Sequence, residues 1–396
     1  MSEVILTLNA GSSSVKFALF KAGDSEPELV AKGQVEGIGT APHFIAKDAE
    51  GALLAESYWK PVGGGEGHAV AFRQIWRWLS DALEGKSLLA VGHRVAHGGE
   101  QYTHPVIIDE DVVRELTRLV PLVPLHQPHN LASMRAVSRN HPKLLQVACF
   151  DTAFHRRRSA VSDCFAIPHD LYEQGIRRYG FHGISYEYIT DRLGKIAPDL
   201  SQGRVVIAHL GSGCSMCAVH QGKSVETTMS FSALDGLPMG TRCGTLDPGV
   251  LLYLMRQERL GVEALEDMLY KRSGLIGISG VSNDMRALQE SNEPRAKKAI
   301  DYFLYRISQS LGALTAALGG LDALVFTAGI GENDPTIRAR VCEDAAWLGF
   351  EVDPMANERQ DLRISVEGGT PSAWAIPTDE ERMIAMHTFK LVGLGA

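Results

Sequence analysis

The chain is short of positive charge. Its 39 Lys and Arg face 47 Asp and Glu, a net charge of −8 over 396 residues. That balance excludes a general nucleic-acid surface or an anionic-membrane surface. A phosphate-bearing ligand would have to be met by Arg and His gathered locally. Long apolar runs are missing too, and none approaches the roughly eighteen residues of a membrane span. The first residues enter a strand pattern with no basic segment or signal-type apolar core, so a cytoplasmic protein is expected. Cysteine is sparse, with six in all, and most sit inside apolar runs as small buried hydrophobes. Cys214 and Cys217 form a C-x-x-C, but no second pair or His pair follows at ligand spacing. On a strand they would point to opposite faces, so a structural role is expected.

The familiar nucleotide-binding signatures are also lacking. Gly222-Lys-Ser has the end of a Walker A motif, but Cys217 stands where its first glycine belongs. Gly85-Lys-Ser fails in the same way, with Ser80 in that place. No G-x-G-x-x-G opens a βαβ unit, and the HRD and DFG signatures of protein kinases are absent. Composition is otherwise that of a globular protein, 45% hydrophobic and without low-complexity tracts. The length suits two or three domains with sizeable cores.

What is present begins with ILTLNAGSSSVKFALF, residues 5–20, read as strand 4–8, a small-residue turn 9–14 and strand 15–20. Gly11 to Ser14 leave space for a ligand at the backbone, and Lys16 follows the turn. By itself this fits either a phosphate cradle or an ordinary Gly/Ser hairpin. The pattern then returns in VVIAHLGSGCSMCAVH, residues 205–220. Gly11 falls on Gly211, Ser12 on Ser212 and Ala18 on Ala218. Two such loops, one opening each half, point to two similar domains gripping a nucleotide.

Residues 21–67 read as further strands and loops ending in a flexible 61–67 stretch, and 68–84 as an amphipathic helix. Strand 88–91 runs into GHRVAHGG, where Arg94 reads either as an anion contact or as a surface-loop Arg. The proline-rich 119–130 is expected to be a rigid connector. His126 and His129 within it lack a third metal ligand, so positioning or hydrogen bonding is their expected role. Strand 144–150 ends at Asp151, a candidate for metal or water positioning, and GIRRYGFHG sets His182 among aromatic and glycine neighbours. A loop at 239–249 carries Arg242 and Asp247, and GVSNDMR makes a polar turn before a helix. The helix 295–319 has an apolar stripe from Ile300 to Leu318 that reads as core. Strand 324–327 enters a third Gly-rich turn, 328–333. Thr378 is the expected N-cap of a terminal helix, with Glu381 at the capping-box position. Glu380 reads there as a first-turn acid favoured by the helix dipole.

Taken together, NAGSSSVKF, GHRVAHGG, PLHQPHN, FDTAFH, GIRRYGFHG, MGTRCGTLDPG, GVSNDMR, FTAGIGEN and TDEERMIA resemble, in order and over essentially the full length, the acetate and propionate kinase family of the actin-like ATPase superfamily. The resemblance implies an α/β, duplicated actin-like (ribonuclease H-like) fold with a nucleotide cleft between two domains. Residues 1–151 plus 382–396 would form one and 152–381 the other. It also implies a homodimer and reversible in-line transfer from ATP to acetate, giving acetyl phosphate and ADP, with Mg²⁺ (or Mn²⁺). Asn9 and Glu380 would hold the metal and Lys16 would contact phosphates. His209, Leu210, Gly211, Ser212, Gly213, Asp284, Met285, Arg286, Gly329, Ile330, Gly331, Glu332 and Asn333 would line the nucleotide. Arg94 would bind the carboxylate, Asp151 would be the active-site acid, and His182 and Arg242 would stabilise the transition state.

The chemistry agrees with that set. Acetate is already an anion at neutral pH and needs no base to activate it. The difficulty is bringing two anions together, so Asp151 is expected to work through metal, water or arginine orientation more than by proton transfer. There are departures from the family pattern. Ser212 replaces an Asn, and FHGISY replaces FHGTSH. In the acyl pocket, where Leu125 and Phe181 are retained, Ala96 stands for Val and Ala233 for Pro. Smaller walls make propionate the alternative substrate. A non-catalytic actin-like ATP-binding protein would share the fold but not need Arg94, Asp151, His182 and Arg242.

Overall fold

The computed structural model describes residues 2–11, 13–24, 26–62 and 66–393. Ser12 of the first turn, and residues 63–65 of the stretch expected to be flexible, lie outside the described residues. Contacts divide the chain into two units, Met1–Ala153 with Asp379–Ala396, and Phe154–Thr378. The boundaries expected at 151/152 and 381/382 thus fall at 153/154 and 378/379.

The first unit is built on an eight-stranded sheet: β1 (Ser2–Ala10), β2 (Val15–Lys21), β3 (Glu28–Glu36), β4 (His43–Asp48), β5 (Leu53–Tyr58), β6 (Lys86–Val95), β7 (Val106–Ile107) and β8 (Leu145–Phe150). Its order is β5-β4-β3-β2-β1-β6-β8-β7. Strands β1 to β5 form an antiparallel meander, while β1, β6 and β8 run parallel. The period-2 pattern of β1 divides its side chains between two cores. Val4, Leu6 and Leu8 meet Phe72, Ile75 and Leu79 of helix Gly67–Ala82 on one face. Ile5 faces the other way, toward Ala385 and Phe389 of helix Glu380–Leu391. That helix packs so close to β6 that a Cβ at Gly92 would lie 2.4 Å from Thr388 Oγ1 and 2.6 Å from Ile384 Cγ2.

The second unit carries β9 (Arg204–Leu210), β10 (Cys214–His220), β11 (Lys223–Thr227), β12 (Ala323–Thr327) and β13 (Ser372–Ala375) in the order β11-β10-β9-β12-β13. The β9–β10–β11 pairs are antiparallel, and β12 is parallel to both β9 and β13. This repeats β3-β2-β1-β6-β8 strand for strand, the order expected of two ribonuclease H-like halves. The recurrence of the Gly/Ser turn in the sequence is the trace of that repeat. Tyr186, Ile189 and Leu193 of helix Gly183–Ile196 pack on Ile207, Cys217 and Val325. Helix Pro294–Leu318 buries Ile300, Phe303, Leu304, Ile307, Leu311 and Leu314, while Leu318 is half-exposed.

Several expected elements are redrawn. Strand β6 continues through His93, Arg94 and Val95, so Arg94 is a strand residue and not part of a loop. The parallel ladder with β8 holds the extra residues, Arg94 opposite Cys149. The connector expected at 119–130 is instead a 3₁₀ turn, Val120–Leu122, and the first residues of helix Gln127–Asn140. Pro128 is tolerated there because a first-turn N–H has no intrahelical partner. The third Gly-rich turn folds as a six-residue helix, Ala328–Asn333, entered with Ala328 at φ +64°. Asp379, not Thr378, caps the terminal helix by accepting from Arg382 N. Among the described residues no helix is long and apolar enough to cross a membrane.

Candidate active site

In the first unit, Asn9, Arg94 and Asp151 stand at or beside the carboxyl ends of the parallel strands β1, β6 and β8, where open α/β sheets place ligands. Arg94 is the hub. Its Nε and Nη2 donate to Asp151 Oδ2 at 3.0 and 2.6 Å, and its Nη1 donates to Asn9 Oδ1 at 3.1 Å. The Asp151 side chain is 2% exposed and the Arg94 side chain 22%, so the guanidinium presents its remaining edge outward. Burial pushes the Asp151 carboxyl above the ordinary carboxylate range, Arg94 pulls it back, and Glu380 adds to the rise. Arg94 is held more firmly protonated than usual: burial opposes this, and Asp151 followed by Glu380 outweighs it.

Glu380 opens the terminal helix and receives Asn9 Nδ2 at 3.5 Å. The Asn9 amide and the Glu380 carboxylate form a pair of hard oxygen donors, the chemistry of Mg²⁺, which takes one or two carboxylates and completes its sphere with water and phosphate. The Asn9 oxygen is engaged by Arg94, so serving as a metal donor requires that amide to turn. Among the described residues no group of three or more His, Cys, Asp or Glu is placed to hold a metal by itself. Lys16, exposed on β2, is the ladder partner of Asn9. Asn130 fixes this end of the sheet from helix Gln127–Asn140. Its Oδ1 accepts from Ala96 N and its Nδ2 donates to Ala10 O, both at 3.0 Å. Ala96 is buried and Leu125 half-buried.

In the second unit a cavity of about 620 Å³ lies against the β9–β10 turn. Gly211 and Ser212 line it, with Asp284, Met285, Arg286, Gly329, Ile330 and Asn333. Asn283, Gln289, Asp334, Pro335 and Thr336 complete the wall. Asn283 lies inside the motif GVSNDMR, Gln289 follows it, and Asp334 comes directly after FTAGIGEN; the Asp-Pro that opens helix Pro335–Asp344 was the readable signal for the last three. Gln289 Nε2 donates to Asp334 Oδ2 at 2.9 Å, tying the end of helix Met285–Glu290 to the N-cap of helix Pro335–Asp344.

Two residues along the same turn, Gly213 lies under two basic groups. A Cβ there would be 2.9 Å from Arg242 Nη2 and 3.1 Å from His182 Nε2. Arg242 is steadied by Nη1, which donates to the Ala233 carbonyl at 2.6 Å. His182 sits at φ +59° as the N-cap residue of helix Gly183–Ile196. Left-handed backbone is uncommon outside glycine and marks a residue that its surroundings hold in place. The His209 ring stacks on it at 4.1 Å between centroids. The geometry sets a cation and an imidazole beside the Gly213 backbone, an arrangement that suits a developing anionic charge.

The remaining expected residues have other immediate partners. Leu210 and Gly331 are buried in the framework, and His209 Nδ1 meets Ser185 Oγ at 2.8 Å. Glu332 Oε1 accepts from Ala328 N at 2.7 Å and Thr378 N at 2.9 Å, bracing the segment that leads to Asp379. Phe181 is buried, and its carbonyl accepts from His155 Nε2 at 3.0 Å. Burial pushes the Cys214 and Cys217 thiols up to about 12, so neither is poised as a thiolate.

The Acetokinase family profile matches residues 4–386. The chain belongs to the acetokinase family. It is 50% identical over 401 aligned residues to the acetate kinase of Rhodopseudomonas palustris (strain TIE-1), covering all of both chains. Among solved structures, the propionate kinase of Francisella tularensis matches with a TM-score of 0.88 at 36% identity, over 98% of this chain and 99% of that one. The acetate kinase of Porphyromonas gingivalis matches with a TM-score of 0.86 at 35% identity, over 99% and 100%. As an acetokinase, the chain combines an actin-like fold with two groups of polar and basic side chains, one on each unit.

Proposed function

We propose that the protein is an acetate kinase. It transfers the terminal phosphoryl group of ATP, in line and reversibly, to acetate, giving acetyl phosphate and ADP. The observation that carries this is the placing of Arg242 and His182 over Gly213, on the same turn that lines a cavity of nucleotide size. In this reading the cavity holds the nucleotide, Lys16 meets phosphate, and Arg94 takes the carboxylate. Arg242 and His182 then neutralise the charge spread over the transferring group. Asp151 orients Arg94 and does not need to take a proton.

Mg²⁺, or Mn²⁺ in its place, belongs to this reading, with Asn9 and Glu380 as its protein donors. When bound it would supply charge neutralisation at the phosphates. We also propose a homodimer. Helix Pro248–Gln257 buries none of its residues and leaves Val250, Leu252, Tyr253 and Met255 exposed, an apolar face of the kind a second copy covers. A substrate pair of ATP and free carboxylate fits a cytoplasmic enzyme.

Propionate is the second reading, and one observation favours it. Ala96 and Ala233 are 7% and 9% exposed, so the places expected to hold Val and Pro carry small side chains. The test is acyl-phosphate formation from ATP and Mg²⁺, trapped with hydroxylamine, with acetate and propionate in parallel. A higher kcat/KM for acetate is expected. A clear preference for propionate would move the assignment to the second reading, and no product from either acid would leave only an ATP-binding protein.

A further inference from the structure

His182 is held from behind by a chain of two hydroxyls. Its Nδ1 lies 2.7 Å from Ser215 Oγ, and the Tyr186 hydroxyl bonds to the same oxygen. Tyr186 follows His182 by one helical turn, its N–H donating to the His182 carbonyl at 3.0 Å, while Ser215 comes from β10. Both hydroxyl residues are fully buried. Burial also pushes the Tyr186 phenol well above its ordinary range, so it remains a proton-bearing donor.

Counting hydrogens fixes the direction of the chain. Each hydroxyl has one hydrogen to give. If Tyr186 donates to Ser215, then Ser215 donates to His182 Nδ1, and the imidazole carries its hydrogen on Nε2. The reverse order, Nδ1–H to Ser215 and Ser215 to Tyr186, strands the phenol hydrogen, and Ser215 accepting from both strands its own: among the described residues the phenol bonds to Ser215 alone, and Ser215 Oγ to these two groups alone. A buried donor left unmade is costly, so the first order prevails. Nε2 is also the atom that faces Gly213 and Arg242.

We propose that Tyr186 and Ser215 are positioning residues that hold His182 as its Nε2–H tautomer, presenting a neutral donor beside the Arg242 cation to the phosphoryl group in transfer. The inference rests on the reading of His182 as a transition-state donor. The other tautomer would turn a nitrogen lone pair toward an anionic oxygen. No proton is transferred, and the relay acts only by keeping the donor in place.

The tautomer is read directly by two-bond ¹H–¹⁵N correlation on ¹⁵N-histidine-labelled protein, with His182→Asn identifying the resonance. Unmodified enzyme is expected to show Nε2–H, and Nδ1–H there would overturn the proposal whether or not any variant folds. Tyr186→Phe removes the donor that sets the order. A mixed tautomer is expected, with kcat lowered roughly tenfold and KM for ATP little changed. A merely structural role would raise KM and leave the tautomer alone. Unchanged kcat with an unchanged tautomer would overturn the relay while His182→Asn still lowers kcat. If His182→Asn itself leaves kcat at the unmodified level, the reading of His182 fails instead and takes the proposal with it.

Discussion

Arg94 and Asp151 meet side-on, with guanidinium Nε and Nη2 both donating to Asp151 Oδ2 at 3.0 and 2.6 Å. Of the five N–H groups on an arginine, these two and the one given to Asn9 are engaged, which leaves one on Nη1 and one on Nη2 for a further acceptor. Two parallel N–H groups are what a carboxylate accepts in a fork. Asp151 therefore aims Arg94, and removing its charge should disturb acceptor binding before it disturbs chemistry. Asp151→Asn is expected to raise KM for acetate and lower kcat/KM by about 10²-fold or more. If Asp151 moves no proton, unmodified enzyme should show kcat in H₂O and D₂O agreeing within about 1.5-fold, since no proton is in flight. A ratio well above two would make Asp151 a general base.

The turn at Gly213 has no room for a methyl group. Its Cβ would crowd Arg242 Nη2 and His182 Nε2 at 2.9 and 3.1 Å, both ends of side chains and not backbone. Gly213→Ala should therefore fold and displace the two groups proposed to face the reacting phosphate. A fall in kcat of at least about tenfold is expected, with Tm within a few degrees of the unmodified protein. Arg242→Ala should cost more, at least about 10²-fold in kcat, because the cation is removed and not merely moved. Steady-state kinetics beside calorimetry test both, and near-normal kcat in Arg242→Ala would dismiss that residue from the transition state.

Ala96 lies two residues beyond Arg94 on the same chain direction, its N–H anchored to Asn130 at 3.0 Å. A branched side chain there should shorten whatever acyl group Arg94 holds. Ala96→Val is expected to lower kcat/KM for propionate about tenfold relative to acetate, the scale of one methylene in an apolar pocket. An unchanged ratio of the two would mean that Ala96 is not a wall of the acyl site.

Much of this was readable because it is local. The hairpin turns and the stripe of helix Pro294–Leu318 follow from periodicity and turn chemistry within a few residues. The errors came where tertiary contact overrode local signal. Strand β6 was extended past Gly92 because its ladder partner β8 and the terminal helix close on that backbone. Thr378 has the chemistry of a cap, but Ser185 binds its hydroxyl at 2.9 Å and leaves the capping to Asp379. Tyr186, Ser215 and His155 were invisible as site residues. Their roles come from partners 29 and 26 residues away, Tyr186 to Ser215 and His155 to Phe181, and no spacing rule reports such a pairing.

His155 makes the stability of the second unit depend on pH. Its Nε2–H donates to the Phe181 carbonyl at 3.0 Å and its Nδ1 accepts from Ser224 Oγ at 2.8 Å, so a neutral ring satisfies both contacts. Burial first, and then the Arg158 charge, lower its pKa from 6.5 to about 3. The unfolded chain binds this proton near pH 6.5 and the folded chain does not until about pH 3. The stability contributed by the neutral ring is thus fully present above pH 6.5 and is lost as pH falls toward 3, at up to about 1.4 kcal/mol per pH unit. At pH 5, unfolding should take up nearly one proton at this site. His155→Gln is expected to reduce proton uptake on unfolding by about one, measured calorimetrically in buffers of different ionisation enthalpy. Equal uptake in the two proteins would mean that His155 is already charged in the folded state and that Phe181, and with it His182, is held in some other way.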